Sequence, residues 1–508
     1  MPQTINSVRD RLTLMPRLSL LATALIFAVS FMSASRATET QSPNIILIVA
    51  DDLGYGELGC YGQQIIKTPH IDALAQQGLR FTQFYAGSPV CAPSRCTLMT
   101  GKHTGHAAIR NNKQPKGFEK IREEYGWETP GQQPLPANEV TVAELLHDHG
   151  YATAGIGKWG LGMPGTTGEP DRHGFDSFYG YLCQEHAHNH YPKFLWRNNQ
   201  KEILPGNDGT ATGQTYSQDR FTEEAVQFLH QHRDKPFFLY LPFIIPHLSI
   251  QVPDDALAEY AGKIPENPYP YTANYFHHKT PHAGYAAMIS YLDAAVGKIV
   301  QSVDDLGIRD NTLIIFTSDN GPTYKLGGAD SDFFDSAGPL RGRKASAYEG
   351  GIRIPFIAAW KGKIAANKTT DQIGAFWDPL PTFCDIAHVD LPKNIDGISI
   401  LPTLLGQGEQ KQHSYLYWEF PAYAQPQAVR AGDWKIIRNG VDQGDPPFEL
   451  YNLKDDVGEK HNVADEHPDV VDRLKQYAEE AHTPSKIFPL LASERPKGYK
   501  PAKGKSTE

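Results

Sequence analysis

Long apolar runs are nearly absent from this chain. The one such stretch, Leu18 to Met32, lies close to the start and is short for a membrane span. Excess positive charge is also missing: 48 Lys and Arg against 58 Asp and Glu leave a formal net charge of −10. That balance excludes the basic footprint of a nucleic-acid-binding protein, and an anionic ligand would need a local cationic pocket. Cysteines are few and odd in number, five in 508 residues (Cys60, Cys91, Cys96, Cys183 and Cys384), which does not read as a disulfide framework. Cys91 and Cys96 sit five apart and point to different faces of a presumed helix, which argues against a bridge between them. Pairing of the others stays open. Internal repeats are absent as well.

What is present begins with a leader. Arg9, Arg11 and Arg17 precede the apolar run, and Ser35-Arg36-Ala37 follows it, the three-part pattern of a secretory signal over residues 1–37. The expected product is periplasmic or secreted, with no stable membrane insertion. Asn44 to Ala50 is a continuous β-branched run, the pattern of a strand buried on both faces of a parallel sheet. Thr312 to Ser318 is a second, and Pro236 to Leu241 and Ala152 to Gly157 read as further strands. Helices are expected over Thr68–Gln77, Val140–His149, Phe221–His232 and Ala283–Leu306. The alternation predicts an α/β fold, a large mixed, mostly parallel sheet sandwiched by helices. After about residue 405 the pattern changes to short aromatic strands (Tyr415–Phe420, Gln427–Arg430, Trp434–Arg438, Phe448–Tyr451) and a helix from Pro468 to Ala481. The expected organisation is a catalytic domain over 38–405, a small antiparallel-sheet subdomain over 406–490 and a disordered tail over 491–508.

The chemistry-bearing residues follow the buried strands. Asp51-Asp52 closes the first run and Ser318-Asp319-Asn320-Gly321-Pro322 closes the second, where open α/β sheets place ligands. Asp51, Asp52, Asp319 and Asn320 make an all-oxygen set suited to a hard cation; taken singly, each is also an ordinary turn-capping residue. Cys91-Ala92-Pro93-Ser94-Arg95, followed by an apolar run and Gly101, places a cysteine at a helix N-terminus, which favours an anion.

Together these segments resemble the type I sulfatases, whose fold is alkaline-phosphatase-like. The resemblance rests on Cys91 to Gly101, on the two Asp-containing turns, on Gly157-Lys158-Trp159, on Pro246-His247, and on Leu340 to Lys344 continuing to Tyr348-Glu349-Gly350-Gly351. It implies oxidation of Cys91 to formylglycine by a formylglycine-generating or sulfatase-maturating enzyme. It also implies one Ca²⁺ held by Asp51, Asp52, Asp319, Asn320 and the converted Cys91. In the implied reaction, one hydroxyl of the hydrated aldehyde attacks sulfur, with Asp319 as proton acceptor. Arg95, Lys102, Lys158 and Lys344 hold the sulfate, and His247 or Lys344 protonates the leaving alcohol. The second hydroxyl then expels sulfate, an exit that serine or thiolate lacks.

One position departs from the pattern. Many sulfatases read Gly-Lys-Trp-His-Leu-Gly, whereas this chain has Gly160 in place of the histidine. His186, His188 and His190 would lie on one side of an extended segment and offer a substitute, as would His103 and His106; equally, these histidines could line a sugar cleft. The expected substrate is a sulfated carbohydrate of galactose or N-acetylgalactosamine type, contacted by Lys102, His103, His186, His188 and Glu419, with Tyr191, Trp196 and Phe420 alongside. The alternatives are a phosphonate or phosphate ester hydrolase of the same superfamily, and a catalytically silent glycan-binding protein.

Overall fold

A computed structural model describes residues 42–269 and 275–495. The expected signal segment lies outside these residues, as does most of the expected tail. β1 (Asn44–Asp51) is buried over its whole length, as its apolar sequence predicts. It lies in an eleven-stranded sheet that contains, in chain order, β2 (Leu79–Tyr85), β3 (Ala152–Lys158), β4 (Ser177–Tyr181), β5 (Phe194–Arg197), β6 (Gln200–Ile203), β7 (Phe237–Pro246), β8 (Thr312–Ser318), β9 (Arg353–Ala359), β10 (Lys368–Thr370) and β11 (Gly374–Ala375). The spatial order is β10-β2-β9-β8-β1-β7-β3-β4-β5-β6, with β11 also paired to β2. β8, β1, β7, β3 and β4 run parallel. β9 is antiparallel to both its neighbours, and β5 and β6 close the far edge antiparallel. The sheet is therefore mixed and mostly parallel, as expected.

Alternate residues of the central strands feed two cores. Ile46, Ile48, Leu239, Leu241, Ile314 and Phe316 pack under the helices Ser217–His232 and Pro281–Asp305. Ile45, Leu47, Val49, Phe238, Tyr240 and Ile315 pack on the opposite face, under the helices Cys91–Thr100, Val142–Asp148 and Pro379–Ala387. Two helices open as their sequences suggest: Pro281 occupies the first turn of its helix, and Thr141 and Glu144 form a capping box.

The second sheet is β12 (Leu416–Glu419), β13 (Gln427–Ala431), β14 (Trp434–Arg438) and β15 (Glu449–Asn452), antiparallel in that order. One face takes Val470, Leu474 and Ala478 of the helix Pro468–Ala481 onto Tyr417, Val429, Ile436 and Leu450. The other face puts Trp418, Ala428 and Ile437 against Tyr85, Ala375 and Trp377 of the large sheet region. Ordered packing continues past residue 490, where the tail was expected to begin: the Glu494 carboxylate meets His482 and accepts from the Leu490 N–H at 2.9 Å. All five cysteines are free thiols.

Candidate active site

Four adjacent parallel strands deliver their last residues to one place. β1 ends in Asp51 and passes to Asp52, β8 passes to Asp319 and Asn320, β7 passes to His247, and β3 ends in Lys158. This is the carboxyl edge of the sheet, the ligand edge of open α/β folds. Asp52 adopts a left-handed backbone, φ 67°, which turns the chain directly after the strand and keeps both carboxylates at its end. Cys91 is the first residue of a helix buried along all ten residues, so its side chain leaves from the positive end of the helix dipole.

The distances define one connected cluster. Cys91 Sγ lies 3.2 Å from Asp51 Oδ1 and 3.5 Å from Lys344 Nζ. Lys158 Nζ donates to Asp51 Oδ2 at 2.5 Å, and Lys344 Nζ lies 2.7 Å from Asp52 Oδ1. Arg95 donates to Asp319 Oδ2 through Nε at 3.1 Å and Nη2 at 2.8 Å, lies 3.3 Å from Asp51 Oδ2, and donates to the Lys158 carbonyl. His247 donates from Nδ1 to the Leu248 carbonyl at 2.6 Å, which leaves Nε2 facing Asp52 Oδ2 at 3.7 Å.

These groups are almost completely removed from solvent, so their charges are set by one another. Burial alone would raise the Asp51 carboxyl, but the charges of Lys158, Arg95 and Lys344 outweigh it and hold it well below the usual carboxylate range. Burial, then the Asp51 charge, pushes the Asp319 carboxyl up to about 6. Burial would likewise lower the Lys344 ammonium, yet Asp52 and Cys91 raise it well above the usual lysine range. His247 goes the other way: burial, Lys344 and Lys158 hold it well below the usual histidine range, so the ring is neutral.

The oxygen set fits a hard cation. Asn320 donates through Nδ2 to Asp52 Oδ1 at 2.8 Å and to the Gly321 carbonyl, while its buried Oδ1 has no protein partner. An acceptor oxygen in that state, beside three carboxylates, suits Ca²⁺ or Mg²⁺. Ligand atoms of Asp51, Asp52, Cys91 and His247 all lie within 4.8 Å of one another.

Several residues expected at the site are engaged elsewhere. Lys102 follows the far end of the Cys91 helix, about 15 Å along its axis, and pairs with Glu139 at 2.7 Å. His103 and His106 stack on each other and both face Asp396. The Gly105 N–H donates to His103 Nδ1 at 3.2 Å, the His103 backbone N–H donates to Asp396 Oδ2 at 2.9 Å, and burial pushes His103 down to about 4. This trio latches the end of the helix. Glu419 is fully buried among Arg110, Tyr417 and His482. Tyr191, Trp196 and Phe420 are core residues. The three alternating histidines do not share a side, because His186–His188 forms a 3-10 turn instead of an extended segment. His186 packs on Tyr181 and Phe194, and His190 bonds the His247 carbonyl at 2.9 Å. His188 alone of the three stacks on His247, at 5.2 Å. Arg95 is present, but its guanidinium is bound to Asp319, Asp51 and a carbonyl, so it buttresses the carboxylates.

The sequence reading missed the aromatic surround. Tyr275 lies 5.1 Å from His188, the Tyr324 ring lies 5.6 Å from Lys344 Nζ, and Tyr423 lies 6.3 Å from Tyr324. They come from three separate loops with no shared spacing, so no local pattern marks them.

Comparison with known proteins agrees with this geometry. The sulfatase family profile matches residues 43–389, and a profile described as N-sulphoglucosamine sulphohydrolase, C-terminal, matches residues 343–483. Arylsulfatase A of Homo sapiens is 33% identical over 91% of this chain and 90% of its own length. N-acetylgalactosamine-6-sulfatase of Rattus norvegicus is 30% identical over 82% of this chain and 78% of its own. Among solved structures, Ps i-CgsB in complex with k-i-k-neocarrahexaose has a TM-score of 0.71 at 27% identity, over 87% of this chain and 92% of that one. With carboxylates, lysines and a helix-borne cysteine gathered at one sheet edge and these matches spanning most of its length, the chain belongs to the type I sulfatase family and is a sulfuric ester hydrolase.

Proposed function

We propose that the cluster around Cys91 is the active site of a formylglycine- and Ca²⁺-dependent sulfatase acting on O-sulfated carbohydrate of galactose or N-acetylgalactosamine type. The observation that carries this is the position of Cys91 Sγ, between Asp51 Oδ1 and Lys344 Nζ at the N-terminus of a buried helix. Once converted, the Cys91 side chain would supply a hydrated aldehyde as nucleophile, and Asp51, Asp52, Asp319 and Asn320 would hold a cation able to draw charge from the sulfate oxygens.

The chain's own residues supply the rest. Lys158 and Lys344 bring two fixed positive charges to the carboxylate edge and stabilise negative charge that builds on sulfate. Asp319 is the proton acceptor for the nucleophile, because burial and the Asp51 charge raise its carboxyl to about 6, whereas Lys158, Arg95 and Lys344 hold Asp51 ionised beside Cys91. Lys344 is the donor to the leaving alcohol, because it is charged and adjacent to Cys91 whereas His247 is neutral. His247 presents an unprotonated Nε2, which accepts from a hydroxyl of the substrate. Tyr275, Tyr324 and Tyr423 offer faces for a sugar ring, and the names of the N-acetylgalactosamine-6-sulfatase and the neocarrahexaose complex support a carbohydrate.

Peptide mass spectrometry over Cys91, coupled to sulfate release from a panel of sulfated monosaccharides, tests the reading. Thiol-to-aldehyde conversion with release from galactose or N-acetylgalactosamine sulfates is expected. Faster turnover of aryl phosphonate than of any sulfate ester would overturn it.

A further inference from the structure

We infer that Gln184 contacts the substrate in this active site, its carboxamide hydrogen-bonding the anionic group that the site receives. The inference rests on the sulfatase reading above and adds a residue to it. Gly160 lies two residues past the catalytic-edge Lys158, with a left-handed φ of 77°, and a Cβ added there would meet Gln184 Nε2 at 2.2 Å and Arg95 Cδ at 3.9 Å. The carboxamide thus occupies the space that a side chain at position 160 would need. It also lies beside the stem of the arginine that grips Asp319 and Asp51. Backbone bonds fix this arrangement: the Trp159 N–H donates to the Tyr181 carbonyl at 2.8 Å and the Gly160 N–H to the Leu182 carbonyl at 3.2 Å.

The second observation is the state of the amide. Both Nε2 and Oε1 of Gln184 are buried, and neither has a hydrogen-bond partner. Its neighbours are engaged: Cys183 Sγ with Thr129 at 3.0 Å, Glu185 with Gln114 at 3.2 Å, and His186 between two aromatic rings. A primary amide has two donors and two acceptor sites, and leaving all of them unmet in a buried place is unfavourable. A ligand oxygen resolves this. Nε2 donates to an oxygen of the anion held by Lys158, and Oε1 remains free to accept from a hydroxyl. Because a carboxamide does not ionise at ordinary pH, its role is orientation and binding, and no proton passes through it.

The test uses the full-length enzyme with Cys91 conversion verified by mass. Gln184→Met keeps the length and removes the hydrogen bonds; Gln184→Glu keeps the shape and brings negative charge to an anion site. The readouts are inhibition by inorganic sulfate and kcat/KM on a chromogenic aryl sulfate across pH 5 to 9, with Tm as a control. We expect Gln184→Met to weaken sulfate inhibition about tenfold and lower kcat/KM by roughly 10- to 100-fold, without changing the shape of the pH profile. Gln184→Glu should lose more, and increasingly so as its carboxyl ionises. Unchanged sulfate inhibition and kcat/KM in a folded Gln184→Met would overturn the assignment alone. If that variant does not fold, wild-type sulfate binding by Gln184→Glu overturns it equally. Absence of sulfate release by converted wild-type enzyme would instead sink the functional reading and this inference with it.

Discussion

Two of the buried charge clusters among the described residues are built for opposite ends. Around Cys91, three carboxylates face Arg95, Lys158 and Lys344. At the contact with the second sheet, Lys435 of β14 lies 2.9 Å from Glu349 Oε1 and 2.8 Å from Glu459 Oε1, while Glu349 Oε2 accepts from Tyr85 at 2.6 Å and pairs with Arg353 at 3.3 Å. Glu459 also accepts from the Glu349 N–H at 2.7 Å. The second cluster pairs Lys435 with both carboxylates and joins two sheets. The first converges on the Cys91 thiol and leaves Asn320 Oδ1 and the Gln184 amide without protein partners. Burial of charge is therefore not itself a sign of catalysis; what differs is that the first cluster surrounds a nucleophilic side chain at a helix N-terminus.

The comparison can be broken most severely at Cys91. Cys91→Ala should lower sulfate release on the order of 10³- to 10⁴-fold or more with little change in Tm, measured on protein matched for concentration. Metal removal comes next: chelation should lower sulfate release by about 100-fold, restored by Ca²⁺, while a differential scan shows the rest of the fold intact. Lys435→Met should do the reverse. It leaves two buried carboxylates facing each other, so destabilisation of about 3 to 5 kcal/mol is expected by denaturant unfolding, with kcat of the folded fraction nearly unchanged. A large fall in kcat would show that the two clusters are not separable. The smallest effect is expected at His482, which sits between Glu419 and Glu494. Hydrogen bonds and charge from these carboxylates outweigh burial and raise its folded pKa, so its stabilisation is present below the unfolded value of about 6.5 and lost as pH rises through the folded one. His482→Gln should therefore lower Tm more at pH 6 than at pH 9.

Legibility in the sequence follows the range of the interaction. β1 and β8 were readable because a doubly covered strand must be apolar throughout, and the carboxylates at their ends stood out against that run. Pro468 to Ala481 was readable because its amphipathic spacing is local. β2 and β9 were not: β2 alternates buried and partly exposed residues, and β9 carries Pro355 inside an edge-like motif. The histidines were misplaced because period-two reasoning holds only for extended backbone, and three residues of 3-10 turn cancel it. The contacts of Glu349 with Lys435 and Glu459 span about a hundred residues and leave no local trace. Gln184 carries no charge and follows no pattern; only its missing partners mark it.

The Cys91 helix is clamped at its far end by residues made much later. Its trailing segment is held by the Asp396 latch, by Arg110 on Glu419, and by the Thr483 N–H on the Gly105 carbonyl at 3.2 Å. Nearly 400 residues separate Cys91 from His482, so at ordinary rates of synthesis the clamp is complete roughly 20 to 80 s after Cys91 is made. During that interval the far end of the Cys91 helix lacks these fastenings.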